Sequence, residues 1–91
     1  MKKSVNIIVR GKVQGVFFRQ SAQMKAEELG LKGIVKNLPS GEVYVEAEGE
    51  TENVEELIDW CRDEGSYSSI VSGIKVQEQD LKGYTRFDIV R

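Results

Sequence analysis

Apolar residues recur along the chain first at every second position and then at helical spacing. Val5, Ile7 and Val9 lie two positions apart, which predicts a first strand with one strongly apolar face. From about residue 18 to residue 29, apolar side chains return every three or four positions, which predicts a helix that ends at Gly30. The chain therefore begins as strand, turn and helix.

Two short strands are predicted after this helix. Residues 32 to 38 and 42 to 48 have strand-like patterns, and the sequence Pro-Ser-Gly at residues 39 to 41 predicts a hairpin between them. The glutamates from Glu42 to Glu56 are expected to be solvated surface residues.

A capping pattern indicates a second helix. Asn53, with Glu56 three residues later, resembles a capping box and predicts the helix start. The apolar stripe behind it puts Trp60 and Cys61 in or near the core, and Gly65 is expected to end the helix.

Two more strands complete the pattern. A fourth strand is predicted by four residues at alternating positions: Ile70, Ser72, Ile74 and Val76. Phe87 and Ile89 predict a short final strand after a turn at residues 82 and 83. The order β-α-β-β-α-β with an extra C-terminal strand favours an α+β fold, the ferredoxin-like split βαβ sandwich, in which an antiparallel sheet carries both helices on one face. We expect residues 1–91 to form one such domain.

The turn between the first strand and the first helix has the features of an anion-binding loop. It reads GKVQGVFFR, and its glycines at Gly11 and Gly15 allow successive N–H groups to turn inward, while the helix start adds unpaired donors. A cation such as Arg19 is unfavourable at a helix N-terminus unless an anion lies nearby. Because the first two strands of this fold run parallel, Asn37 at the end of the second is expected close to the loop.

Composition limits the chemistry that this loop can support. The chain has 91 residues, a net charge of −2, one cysteine and no histidine. The charge argues against nucleic acid as the main partner, and a single cysteine suits a reducing compartment. Without histidine, the usual Ser-His or Cys-His nucleophiles are excluded, so binding and positioning groups would have to act on a substrate that is already reactive.

These residues carry a resemblance to a known family. GKVQGVFFR, then AEELGLKG and VKN, resembles the acylphosphatase pattern G-x-V-Q-G-V-x-F-R, A-x-x-L-G-L-x-G and V-[RK]-N, and the likeness extends over nearly the whole chain. The chain departs from it at Ile34, where many members have tryptophan, and at Ser40, where the hairpin often has aspartate. Ser66 and Tyr67 stand where a proline is common. None of these departures falls on Arg19 or Asn37, so we expect them to affect local packing and stability more than activity.

The resemblance implies hydrolysis of the mixed anhydride of a carboxylic acid and phosphate, without metal or cofactor. The catalytic arginine would be Arg19 and the catalytic asparagine Asn37, which would orient a water molecule. The phosphate would bind to the amides of five successive residues: Gly15, Val16, Phe17, Phe18 and Arg19. The expected partners are a small acyl phosphate and the product inorganic phosphate, with neither nucleic acid nor membrane, and we expect a cytoplasmic monomer.

Other interpretations remain open on the residues alone. An isolated Arg19 is more often a surface residue, and an isolated Asn37 more often a turn residue. The same fold and loop could serve an anion-sensing regulatory module without turnover. An RNA-binding domain of the RRM type shares the element order, but it would need stacked aromatic residues and a basic sheet face, whereas Tyr44 lies beside Glu46 and Glu48.

Overall fold

The computed structural model describes all residues from Met1 to Arg91. Its seven elements follow one another in this order: β1 (Lys2–Lys12), α1 (Phe18–Glu28), β2 (Lys32–Asn37), β3 (Val43–Glu50), α2 (Thr51–Asp63), β4 (Ile70–Gln79) and β5 (Phe87–Ile89). The predicted β-α-β-β-α-β order with an additional C-terminal strand is confirmed.

The strands form one sheet in the order β4-β1-β3-β2-β5. β3 pairs antiparallel with both β1 and β2, so β1 and β2 run in the same direction and their carboxyl ends share one edge. β5 differs from the predicted antiparallel arrangement, since it pairs parallel with β2. The reason is geometric. β4 runs antiparallel to β1, so it ends at the end of the sheet where β1 and β2 begin. The short connection starts β5 at that same end, and β5 therefore runs in the same direction as β2.

The core lies between one face of the sheet and the two helices. It is a single cluster of 19 buried apolar residues, in which alternate residues of β1 and β3 meet the buried faces of α1 and α2. The rings of Phe18 and Trp60, one from each helix, lie 5.4 Å apart. Trp60 and Cys61 are both buried, as predicted. Neither helix has the length and apolar character needed to cross a membrane.

Helix α1 ends as its sequence predicts. Gly30 adopts a left-handed conformation with φ of 72°. The amide of Leu31 donates to the carbonyl of Ala26 at 2.8 Å, and the amide of Gly30 donates to that of Glu27 at 3.0 Å. This pair of hydrogen bonds is a Schellman motif, which satisfies carbonyls at the end of the helix.

The predicted N-cap of α2 at Asn53 is wrong by three residues, which is nearly a full helical turn. The helix begins at Thr51, with Glu50 in an extended conformation at the N-cap position. The amide and hydroxyl of Thr51 both donate to the carbonyl of Met1 at 2.8 Å. Contacts with the distant start of the chain therefore set this helix boundary, and the local Asn-x-x-Glu pattern does not.

The predicted alternation in β4 is interrupted. Arg10 pairs with Gly73 and the next residue, Gly11, pairs with Val71, so Ser72 is an extra residue in a β-bulge. Because of this extra residue, the side chains of β4 before the bulge lie on the face opposite to the predicted one. Ile70 is therefore 66% exposed, while Val71 packs against the core.

Two glutamates of β3 contradict the prediction that all glutamates in this region are solvated. Glu46 and Glu48 are only 5% and 6% exposed. They lie on the sheet face opposite the helices, which is covered by the connection between β4 and β5. The carboxylate of Glu48 accepts hydrogen bonds from three successive backbone amides of this connection at 2.8–2.9 Å: Lys82, Gly83 and Tyr84.

Glu46 joins this connection to the sheet through side chains. Its carboxylate accepts hydrogen bonds from the hydroxyls of Tyr44 at 2.6 Å and Tyr84 at 2.7 Å, and it pairs with Lys82 at 2.9 Å. Burial by itself would raise the pKa of Glu46, but these bonds and one from Gln79 outweigh it and lower the pKa to about 2. The ionised carboxylate is therefore part of the folded structure.

We predict that acid destabilises the protein through Glu46. Because the folded-state pKa of about 2 is below the ordinary value of 4.5, the unfolded state takes up a proton first as the pH falls. The free energy of unfolding should decrease by about 2 to 3 kcal/mol between pH 5 and pH 2 through this group. Urea unfolding across this pH range measures the decrease.

The Glu46→Gln variant should be less stable at neutral pH and show a flatter dependence on pH. Glu78→Gln, at an exposed position of β4, is the matched control and should behave like the wild type. A Glu46→Gln protein with the wild-type pH profile would contradict the assignment.

Candidate active site

The loop between β1 and α1 has an unusual backbone. Gly15 has φ of 72°, and Phe17 has φ of 62° and ψ of 22°. Phe17 is the one residue other than glycine with a positive φ. A side chain in this conformation costs on the order of 1 to 2 kcal/mol, and such strain is concentrated at functional sites.

The loop presents backbone amides that have no acceptor within the protein. No hydrogen bond from the amides of Gly15, Val16 or Phe17 is found. Helix α1 has no side-chain cap and no acidic residue in its first turn, so its first amides are also free. These donors and the positive end of the helix dipole form a region suited to an anion.

Arg19 lies in the first turn of α1 and is partly buried. Arg10, Arg62 and Arg86 each pair with a carboxylate, whereas Arg19 has no ion pair with the protein. Its guanidinium is therefore free to bind a planar or tetrahedral anion with two parallel hydrogen bonds.

A small pocket of about 150 Å³ is found at this loop. Its lining includes four of the five residues expected to bind phosphate: Gly15, Phe17, Phe18 and Arg19. Val13 and Gln20 complete the lining. Val16, the fifth, has a buried side chain and does not line the pocket. Because the predicted role of these residues is carried by backbone amides, a buried side chain at Val16 is compatible with it.

Asn37 is the last residue of β2. It pairs with Val43 of β3, and Val9 of β1 pairs with the same residue from the other side. Asn37, Val43 and Val9 therefore lie side by side on three neighbouring strands. The Oδ1 atom of Asn37 is buried and has no hydrogen-bond donor in the protein, although most buried polar atoms are paired.

Gln14 connects the loop to the hairpin that follows Asn37. Its side-chain amide donates to the carbonyls of Leu38 and Glu42, both at 2.8 Å. Gln14 was not among the residues predicted to have a role, although a glutamine at this position is a fixed letter of the family pattern. Through this contact the structure brings the loop and the end of β2 together, but Asn37 does not line the pocket around Arg19.

The largest pocket lies elsewhere. It measures about 500 Å³ and includes Lys2, Lys32 and Tyr84 at the edge where β1 and β2 begin. Glu48 also lines it, but its carboxylate is engaged by the backbone amides described above. No residue of the loop or of the end of β2 contributes to this pocket.

Comparison with known proteins identifies the family. The acylphosphatase family model matches residues 5–89. The chain belongs to the acylphosphatase family. The resemblance carried by GKVQGVFFR and VKN is thereby confirmed.

Individual acylphosphatases are similar over almost the whole chain. An acylphosphatase from Methylococcus capsulatus is 47% identical over 90 residues, which span 98% of this chain and 97% of the relative. The crystal structure of an acylphosphatase from Bacillus subtilis, 40% identical, superimposes with a TM-score of 0.94 over the full length of both chains. An acylphosphatase structure from Coxiella burnetii, also 40% identical, gives 0.94 over 98% of this chain and 93% of the other. These neighbours have the predicted ferredoxin-like fold.

Proposed function

We propose that this member of the acylphosphatase family hydrolyses the carboxyl-phosphate anhydride of acyl phosphates to a carboxylate and inorganic phosphate. The chemistry is assigned to the loop before α1 and to Asn37, with residues 1–91 acting as one catalytic domain. The observation that carries the mechanism is the buried, unpaired Oδ1 of Asn37. The hairpin that follows Asn37 is joined through Gln14 to the loop, whose amides also have no partner.

The loop would hold the phosphoryl group. Arg19 would donate two hydrogen bonds to phosphate oxygens, and the amides of residues 15 to 19 would donate to the remaining oxygens. Donors that are fixed before the substrate arrives need no reorganisation as charge redistributes during the reaction. The free amides and the unpaired state of Arg19 support this role.

Asn37 would orient the attacking water. Its buried Oδ1 is a hydrogen-bond acceptor without a protein donor, and a water O–H group is a suitable donor. The water oxygen forms a bond to phosphorus while the bond from phosphorus to the acyl oxygen breaks, and the carboxylate leaves with the electron pair. A phosphate oxygen of the substrate accepts the proton from the water, since the loop contributes no strong base.

The chain's composition fits this type of catalysis. An acyl phosphate has a good leaving group, so charge neutralisation and positioning can supply much of the rate increase. Neither requires histidine, which the chain lacks. We further propose that the enzyme works without a metal ion and as a monomer. We also propose that it acts in the cytoplasm, where a reducing environment suits its single buried cysteine, Cys61.

We predict that the wild-type protein hydrolyses benzoyl phosphate with EDTA present. Arg19→Lys should lose roughly 100-fold or more in kcat/KM, because one ammonium group does not reproduce the two parallel hydrogen bonds of a guanidinium. The decrease in absorbance as benzoyl phosphate is consumed measures both rates.

Arg86→Lys is the matched control, since Arg86 is exposed and pairs with Asp88 away from the loop. It should retain the wild-type rate. A wild-type protein that gives only the uncatalysed rate would contradict the proposed activity and favour a non-catalytic anion-binding module. Near-normal activity of Arg19→Lys would instead contradict two-point binding of the phosphate.

We predict that Asn37→Ala separates turnover from phosphate binding. It should lower kcat by roughly 100-fold or more while the dissociation constant for inorganic phosphate changes less than about threefold, because the water but not the phosphate loses its partner. Stopped-assay kinetics give kcat, and titration calorimetry gives the dissociation constant.

Asn53→Ala provides the control for the loss of an asparagine side chain, since Asn53 lies in α2 and makes no side-chain hydrogen bond. It should leave both quantities unchanged. If phosphate affinity falls in Asn37→Ala by as much as kcat does, Asn37 holds the phosphate and does not act on the water.

A further inference from the structure

The carbonyl of the peptide bond between Val16 and Phe17 is held by the segment between α2 and β4. The carbonyl of Val16 accepts a hydrogen bond from the hydroxyl of Ser66 at 2.6 Å and a longer one from Ser68 at 3.3 Å. In a trans peptide the C=O and N–H groups point in opposite directions. Since the carbonyl points toward the segment between α2 and β4, the amide of Phe17 points away from that segment, and Phe17 is one of the residues that line the loop pocket.

This orientation is the strained one. Phe17 has φ of 62°. A rotation of the peptide plane before it by about half a turn would move φ to the negative side, where a side chain is more favourable, as in the interconversion of type I and type II turns. The same rotation would point the Phe17 amide toward the segment between α2 and β4. An interaction that holds the Val16 carbonyl therefore also keeps the amide in place.

Ser66 is well placed to supply that interaction. It is 5% exposed, and its own carbonyl accepts hydrogen bonds from the amide of Ser69 at 3.0 Å and from the Ser69 hydroxyl at 2.9 Å. The neighbouring Gly65 packs so closely against the start of α1 that an added Cβ would lie 3.2 Å from the ring of Phe18. The hydroxyl donor is thus fixed by its turn and by the helix that it supports.

We propose that Ser66 is a positioning residue for phosphate binding: its hydroxyl fixes the Val16 carbonyl so that the Phe17 amide faces the anion. This inference rests on the proposed function, because it requires that the loop amides bind the phosphoryl group. Ser66 acts through the peptide bond and does not touch the substrate. Its role is accordingly expected in binding affinity, with a smaller effect on the stability of the fold.

The first test uses the wild-type protein and inorganic phosphate. In a ¹H–¹⁵N NMR titration, the amide proton of Phe17 should shift downfield along with those of Gly15 and Arg19. If the Gly15 and Arg19 signals respond and that of Phe17 does not, this inference is wrong and the proposed function stands. If no loop amide responds at phosphate concentrations that saturate the wild type in calorimetry, the loop does not bind phosphate and both proposals fail.

The second test removes the hydroxyl. Ser66→Ala should weaken phosphate binding roughly 3- to 10-fold, the loss expected for one net hydrogen bond. Ser72→Ala is the matched control, since Ser72 is exposed in β4 and its hydroxyl makes no hydrogen bond with the protein. It should keep the wild-type phosphate affinity. Equal affinities for Ser66→Ala and the wild type would overturn the proposal.

A suppressor distinguishes positioning from a general structural role. Glycine adopts positive φ without strain, so adding Phe17→Gly to Ser66→Ala should restore part of the lost phosphate affinity. If the hydroxyl only contributed to packing of the turn, the second substitution would give no recovery. A double variant that binds phosphate no better than Ser66→Ala would therefore count against the proposal.

Discussion

The unsatisfied backbone amides between β1 and α1 are the constraint on which the rest of the site depends. The amides of Gly15, Val16 and Phe17 have no acceptor in the protein, so their hydrogen bonds are left to solvent or to a ligand. An anion would satisfy them, and the start of α1 and the unpaired Arg19 add positive potential at the same place. The folded chain therefore presents backbone hydrogen-bond donors that pair with no acceptor in the protein. The parallel course of β1 and β2 then brings Asn37, with its unpaired acceptor, to the edge where these donors lie.

Much of the fold follows from local sequence patterns. The alternation at Val5 to Val9 and the glycine at Gly30 correspond to a real strand and a real helix end, because neighbouring residues determine both. The predictions that were wrong concern features that depend on residues far away along the chain. The start of α2 depends on Met1, and the exposure of Ile70 depends on a bulge opposite β1. The burial of Glu46 requires tyrosine and lysine side chains that arrive from a connection near the end of the chain.

The candidate site divides in a similar way. Arg19 and Asn37 could be selected from the sequence because the motif and the order of elements indicate them, and their catalytic roles stay predictions. Gln14 and Ser66 act on main-chain carbonyls that are 24 and 50 residues away along the chain. No pattern within a short segment reports such a contact. The importance of Ser66 emerges only when the carbonyl of Val16 and the strained backbone of Phe17 are considered together.

In the proposed mechanism, the protein holds the phosphoryl group and directs water to phosphorus. Hydrolysis of benzoyl phosphate in ¹⁸O-labelled water tests it most directly, because the label marks the atom that water attacks. Mass spectrometry of the products should find one ¹⁸O atom in inorganic phosphate and none in benzoate. Label in the benzoate would mean that water attacks the carbonyl carbon, which would contradict the role assigned to Arg19, the loop amides and Asn37.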